Sequence, residues 1–290
     1  MKIPKLEHGR GFRPISVFTR HKFAVAGLIV ILSEIILVVL LPVIFKMDPI
    51  VSDLSSFGAK PGAGHLLGTD SIGRDLFARL VYGGRTSLFV GFMSTLFAVA
   101  LGVPLGLLAG YYRRWVECAV MRLVEVFMSF PSMVLILVLV SVIGPSVWTV
   151  TVVIGFLGWT QFARLVFASV LTIREKEYVL SASAIGSSDA AIILKYIFPG
   201  AVNPVLIAGT FMTASSILLE SSLSFLGMGV QPPASSWGSM LYDAQSIAVL
   251  SGKPWQWIPP GFMLILTVLC INFLGDGIRN MLEPKNKTNI

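Results

Sequence analysis

Charge is scarce in this 290-residue chain: only 13% of its residues are Asp, Glu, Lys or Arg. A soluble domain of that length carries about a quarter. Hydrophobic residues make up 55% of the chain and the mean hydropathy is +0.82, so the sequence belongs to an integral membrane protein. Histidine is nearly missing: His8, His21 and His65 are scattered, with no HExxH or paired-His spacing, which excludes the common metal sites. The two cysteines, Cys118 and Cys270, stand far apart in no ligand spacing and read as free thiols. No GxxxxGK[ST] is present, since Gly252 and Lys253 are followed by Pro254, so the chain offers no phosphate-binding P-loop of its own. Paired aspartates and Ser/His combinations are also missing from the apolar runs, which removes the usual intramembrane protease chemistries.

What is present is a series of apolar runs long enough for helices, not the roughly ten-residue alternating segments of a membrane barrel. The first, 23–45, is longer than a signal-peptide core, lacks a small-residue cleavage site and reads as a retained membrane helix. It follows a tail with six basic residues (Lys2, Lys5, Arg10, Arg13, Arg20, Lys22) and one acid, Glu7, which places the N-terminus in the cytoplasm. The net charge of +7 sits mostly in tails and short loops, where it sets topology and meets anionic lipid; no nucleic-acid partner is implied. Glu34, near the middle of the first helix, is either a functional ionisable group or a locally hydrogen-bonded carboxyl facing a partner subunit.

Residues 46–85 have balanced charge and read as an external loop. Within it the spacing predicts a turn at Gly68, a cap at Thr69 or Asp70, and a short amphipathic helix braced by Asp75 and Arg79 and ended by Gly83 and Gly84. Helix two, 86–112, carries Gly102, Gly106 and Gly110 on one face, a packing stripe. Helix three begins amphipathically with Arg122 and Glu125, kinks at Pro131 and ends near 143. Helix four spans 148–170, with Arg164 near its inner end. Helix five, 201–223, is rich in small and hydroxyl residues, so Thr213, Ser216 and Glu220 are candidate pathway residues. An external segment with a Gly/Pro turn and an interfacial helix bearing Trp237 and Tyr242 precedes helix six, 258–274. The tail beyond it carries Arg279, Lys285 and Lys287. The expected architecture is all-α: six transmembrane helices with both termini inside, divided into a tail (1–22), a first span (23–45), an external loop (46–85), a five-helix core (86–280) and a second tail (281–290).

One polar interruption, 171–200, lies inside. A helix over 172–185, a break at Gly186 and Ser187, a cap at Ser188 or Asp189, and a second helix over 189–198 ended by Pro199 predict a helix–turn–helix knob outside the membrane. A channel or a secondary transporter working without nucleotide would also accommodate six helices. The knob favours a subunit docked to a separate motor.

The stretch EYVLSASAIGSSDAAIILKYIFPG resembles the EAA loop of permease subunits in binding-protein-dependent ABC importers, which runs Glu-Ala-Ala, three residues, Gly, nine residues, Ile-x-Leu-Pro. Ala182, Gly186 and Pro199 match that pattern; Leu180 replaces the Glu, Ser181 the first Ala, and Tyr196 and Phe198 the Ile and Leu. The segments HLLGTDSIGRDLFARLVYGGRTSL and SFLGMGVQPPASSWGSML are similar to those of the second permease of dipeptide, oligopeptide and nickel importers, and the resemblance extends over 24–284. It implies a type I importer-like fold in the cytoplasmic membrane of a prokaryote. The partners it implies are a homologous permease in a heterodimer, two ATP-binding subunits that hold the ATP and Mg, an extracytoplasmic substrate-binding protein and membrane lipid. This chain would hold no cofactor. It implies a coupling role for Glu177, Tyr178, Leu180, Ala182, Gly186, Ser188, Asp189 and Pro199, with Glu177 one turn before the missing acid. Peptide is the expected cargo; nickel or a nickel chelate is the alternative.

Overall fold

The computed structural model describes Phe18, residues 21–62 and residues 64–282. The basic and acidic positions expected to set orientation, Lys2, Lys5, Glu7, Arg10, Arg13 and Arg20, and those of the second tail, Lys285 and Lys287, lie outside the described residues. Among the described residues ten helices follow one another: α1 (Lys22–Phe45), α2 (Leu76–Tyr112), α3 (Arg114–Met128), α4 (Ser132–Ile143), α5 (Val147–Ile173), α6 (Glu177–Ala184), α7 (Asp189–Phe225), α8 (Trp237–Asp243), α9 (Ile247–Gly252) and α10 (Pro254–Leu282). Strand pairing among the described residues is confined to two isolated bridges, Ser52–Arg74 and Thr69–Asp75. Five helices are long and apolar enough to cross a membrane, and the α3–α4 pair makes a sixth span if counted as one broken element.

That break is sharper than a kink. The axes of α3 and α4 meet at 87°. Proline has no N–H for the helical ladder and drives the residue before it out of the α region, so α3 stops before Phe130 and α4 restarts just after Pro131. At 12 residues α4 is only about 18 Å long, well short of a hydrocarbon core of about 30 Å.

Helix α2 departs from expectation in the other direction. Gly83 and Gly84 do not end a short external helix; they lie inside one helix of 37 residues, about 55 Å long. Their missing side chains admit Ser236 and Trp237 of the outer segment, and a methyl group at either position would crowd those residues. The cap is Asp75, whose Oδ1 accepts from the Ala78 amide at 2.8 Å, not Thr69 or Asp70. The expected Asp75–Arg79 pair does not form. Asp75 accepts from His65 Nδ1 at 2.7 Å, while Arg79 donates through Nη1 to Asp70 at 2.6 Å and through Nη2 to Asp243 at 2.9 Å. Trp237 is not interfacial either: it is fully buried, its Nε1 donating to the Leu80 carbonyl at 3.1 Å.

The glycine stripe packs as its spacing predicts. A methyl at Gly102 or Gly106 would strike the Trp159 or Ala163 carbonyl of α5, and one at Gly110 the Val170 side chain. Helix α1 lies at the edge, lipid-facing over most of its surface. Its Glu34 faces α10 of the same chain, not a partner subunit: Thr267 Oγ1 donates to Glu34 Oε2 at 2.8 Å and Oε1 has no partner. Helix α10 begins at Pro254 and ends at Leu282, longer at both ends than its apolar centre indicates; Pro259 and Pro260 fall near the start, where few amide bonds are forfeited.

The outer loop is tied down by charge. Asp70 Oδ2 accepts from Arg74 Nε and Arg79 Nη1, both at 2.6 Å, and Asp243 Oδ2 accepts from Arg74 Nη2 at 2.9 Å, joining the loop, α2 and α8. Gln256 Nε2 adds a bond to the Thr69 carbonyl at 3.0 Å, which brings in α10. Burial alone would raise the Asp70 carboxyl, but the Arg74 amide and the two guanidiniums more than offset it, leaving it below the ordinary aspartate value. A depressed carboxyl contributes stability that is complete above the unfolded value near 4 and lost as pH falls through the lower folded one. Asp70→Asn, which leaves two buried guanidiniums sharing Asp243, is expected to cost about 3 kcal/mol at pH 7 and to blunt the strongly acid loss of stability, read by thermal unfolding in detergent across pH.

Candidate functional site

The inner polar segment folds as one short helix, a glycine turn and the start of the long α7. Helix α5 continues to Ile173, a turn spans 174–176, and α6 covers Glu177–Ala184. Gly186 then takes φ +84°, where other residues are strained, so its identity as glycine is set by backbone geometry. Ser188 Oγ accepts weakly from the Ala191 amide at 3.4 Å and caps α7. Pro199 does not end this second helix. Over Ile192–Ile197 the backbone widens to π geometry, and the Phe198 amide reaches the Ile193 carbonyl five residues back. That one-residue register shift lets a helix pass a proline without stopping.

One face of α6 is pinned and the other is free. Val179 and Ala182 are buried, and Val179 joins Ile192, Ile193 and Ile197 of α7, Val103 and Leu107 of α2, and Val166, Val170 and Ile173 of α5 in a single apolar cluster. Tyr178, Leu180 and Ile185 are exposed, Ile185 to 81%. Glu177 is exposed on the first turn of α6, three residues before the exposed Leu180 and so on the same side of the helix. Two hydrogen bonds tie the loop to the end of α2: Tyr111 OH donates to Asp189 Oδ1 at 2.7 Å, and Arg174 Nη1 donates to the Gly110 carbonyl at 3.2 Å. Sequence spacing could not show Asp189 in this role, because its partner lies 78 residues away.

Above the knob, the elbow between α3 and α4 faces α5 and α7 across a cavity of about 300 Å3. Ser216 lines it, fully buried and with an Oγ that has no partner. Ser132, Thr160, Gln161 and Ser215 supply further hydroxyl and amide groups, none of them charged. Of the three pathway candidates, Ser216 alone lies on this cavity. Thr213 Oγ1 donates to Thr95 Oγ1 at 3.1 Å. Glu220 is fully enclosed among hydroxyls: Ser87 donates to its Oε2 at 2.9 Å and Ser224 to its Oε1 at 2.7 Å. Ser87 also accepts from the Trp237 amide, so Glu220 knits the outer ends of α2 and α7 to α8. Gln161 and Ser132 escaped the sequence reading because single polar residues in apolar runs carry no periodic signal.

The family model described as "Binding-protein-dependent transport system inner membrane component" matches residues 102–288. The chain is 37% identical over 269 residues to the dipeptide transport system permease protein DppC of Alkalihalophilus pseudofirmus, covering 93% of this chain and 88% of that protein. It is 38% identical over 272 residues to the oligopeptide transport system permease protein OppC of Haemophilus influenzae, covering 93% and 87%. Among solved structures, a chain of the inward-facing MetNI methionine ABC transporter aligns with a TM-score of 0.58 at 21% identity, over 70% of this chain and 96% of its own length, a likeness of fold.

Because Tyr111 and Asp189 hold the knob against α2, Tyr111→Phe is expected to weaken that tether by about 1 kcal/mol, accelerating limited proteolysis at the exposed 185–188 turn about fivefold. Asp189→Asn combined with Tyr111→Phe is expected to add little to the single change, and full additivity in that cycle would show the two groups to be uncoupled.

Proposed function

Because the chain belongs to the family of binding-protein-dependent transport system inner membrane components, multi-pass permease subunits of ABC importers, we propose that it pairs with a homologous permease to enclose the pathway of an ATP-driven peptide importer. Two ATP-binding subunits dock on its inner face and an extracytoplasmic binding protein delivers cargo to its outer face. ATP and Mg belong to the motor subunits.

The observation that carries this reading is the knob itself. A short helix that exposes Glu177, Tyr178, Leu180 and Ser181, with Ile185 just past its end, stands on a core shared with three membrane helices. Displacing α6 therefore moves the inner ends of α2, α5 and α7 together, because a packed core transmits a rigid-body shift without absorbing it. Contact with the motor is apolar at Leu180, where the family pattern has a carboxylate. Gly186 shapes the turn, Ser188 caps the second helix and Asp189 latches it, while Pro199 lies within the continuous α7.

Peptide cargo is supported by the names of the relatives and by the chemistry of the cavity. Its hydroxyl and amide groups match peptide bonds, which present donors and acceptors without charge. Ser216 is the strongest candidate for such a contact, since a buried hydroxyl without a partner costs about 1–3 kcal/mol until something bonds it.

Gly186→Pro forces φ from +84° to about −65° and removes the amide that bonds the Ser183 carbonyl at 3.1 Å. The variant is expected to insert in the membrane while losing peptide uptake, with ATP hydrolysis freed from its dependence on loaded receptor. The assay is uptake and hydrolysis in proteoliposomes holding all subunits. Normal uptake by the variant would sink the docking role, uptake without the ATPase subunits would point to a channel or secondary transporter, and uptake of nickel in place of peptide would reassign the cargo.

A further inference from the structure

One guanidinium stands within α5, a helix long and apolar enough to cross a membrane. Arg164 lies on α5 nine residues before its inner end at Ile173, about 14 Å up the helix. A cation there is costly unless it faces protein or water. Arg164 is exposed on the subunit surface and makes no ion pair among the described residues. It borders a cavity of about 650 Å3, across which α3 presents Glu117 and Glu125. Glu125 is held by Arg122 at 2.8 Å, whereas Glu117 makes no ion pair among the described residues.

This cavity is continuous in position with the neutral one above it. Met128 lines both, and Gln161 of the upper cavity stands three residues from Arg164 on the same face of α5. A solute moving down that face leaves a wall of hydroxyl and amide groups and enters one with a cation on one side and acids on the other. A zwitterion complements both sides. A bare metal cation meets the guanidinium, and a simple anion meets Glu117.

We propose that Arg164 receives the C-terminal carboxylate of a peptide in the inner half of the pathway, with Glu117 facing its ammonium end. The inference rests on the peptide reading above and assigns the contact that distinguishes peptide acids from their neutral derivatives. A guanidinium suits the task because its planar donors engage both carboxylate oxygens at once.

The test uses the complete importer in proteoliposomes with receptor at saturation, and compares di- and trialanine with their C-terminal amides. Arg164→Gln is expected to slow uptake of the free acids about tenfold while amide uptake stays within about twofold, and Arg164→Lys is expected to retain acid uptake only in part, since an ammonium keeps the charge but not the paired donors. Equal loss of acid and amide would overturn the proposal, assigning the guanidinium to a lipid phosphate or to a carboxylate of the partner permease. Unchanged uptake of both would overturn it as well. If the unmodified importer takes up neither form, the peptide reading fails and this inference with it. Uptake of both by the unmodified importer, without the acid-selective loss in Arg164→Gln, leaves the peptide reading standing and removes only the role of Arg164.

Discussion

Everything in this fold leans on the close approach of α2 and α5. Two helices in lipid gain no hydrophobic energy by associating, since the acyl chains are as apolar as their side chains, so contact must come from backbones brought within van der Waals reach. Gly102, Gly106 and Gly110 supply that reach from α2, and Gly155 returns it from α5, where a methyl group would strike the Ser94 carbonyl. The seam leaves little slack: a side chain at Gly102, Gly106 or Gly155 meets backbone, and one at Gly110 meets the stiff, branched Val170. It also fixes α2, one continuous helix of 37 residues, from one face of the protein to the other.

That member has different chemistry at its two ends. Outside, Arg79 and Ser87 of α2 enter the charged cluster of Asp70 and Asp243 and the hydroxyl shell of Glu220. Inside, Tyr111 and the Gly110 carbonyl hold the knob. A helix cannot stretch, so under the proposed function a displacement of α6 reaches the outer loops along α2 as well as through α5 and α7. The Arg79–Asp70 and Ser87–Glu220 bonds are buried, whereas Tyr111–Asp189 is exposed and Arg174–Gly110 part-buried. Buried charge-assisted bonds are the stronger kind, so the outer platform is the fixed end and the knob the movable one.

How much of this the sequence discloses depends on the distance over which each feature is determined. The apolar runs, the glycine stripe, the Gly186 turn and the Ser188 cap are local, and each stands near where spacing places it. Pro131 and Pro199 mark the limit of local reasoning. Both remove an amide, yet one separates two helices at 87° and the other is passed by a π turn. The difference lies in what surrounds them: Ile192, Ile193 and Ile197 are buried against the α6 core, which holds α7 continuous, whereas Phe130 and Pro131 are exposed and nothing draws α3 and α4 into line. The partners of Asp75, Arg79 and Asp189, and the neutral cavity with Gln161 and Ser132, are set by residues far away in the chain and leave no pattern in it.

The two buried carboxyls in the spans show how position decides the fate of one chemical group. Glu220 is surrounded by serines that give hydroxyl donors to both of its oxygens, so its polarity is spent on joining α2, α7 and α8. Glu34 has one donor, Thr267, and one oxygen without a partner. A group satisfied on all sides resists removal and holds its neighbours in register, while a half-satisfied one costs stability and restrains little. The contrast matches their places in the fold: Glu220 lies where three elements meet, and Glu34 where α1 packs on α10, with Val38 of the same helix reaching Gly84 of α2. The outer end of the core is therefore held by polar bonds around Glu220, whereas the α1–α10 contact relies on close packing, Gly27 against the Cys270 carbonyl and Phe23 against Phe273.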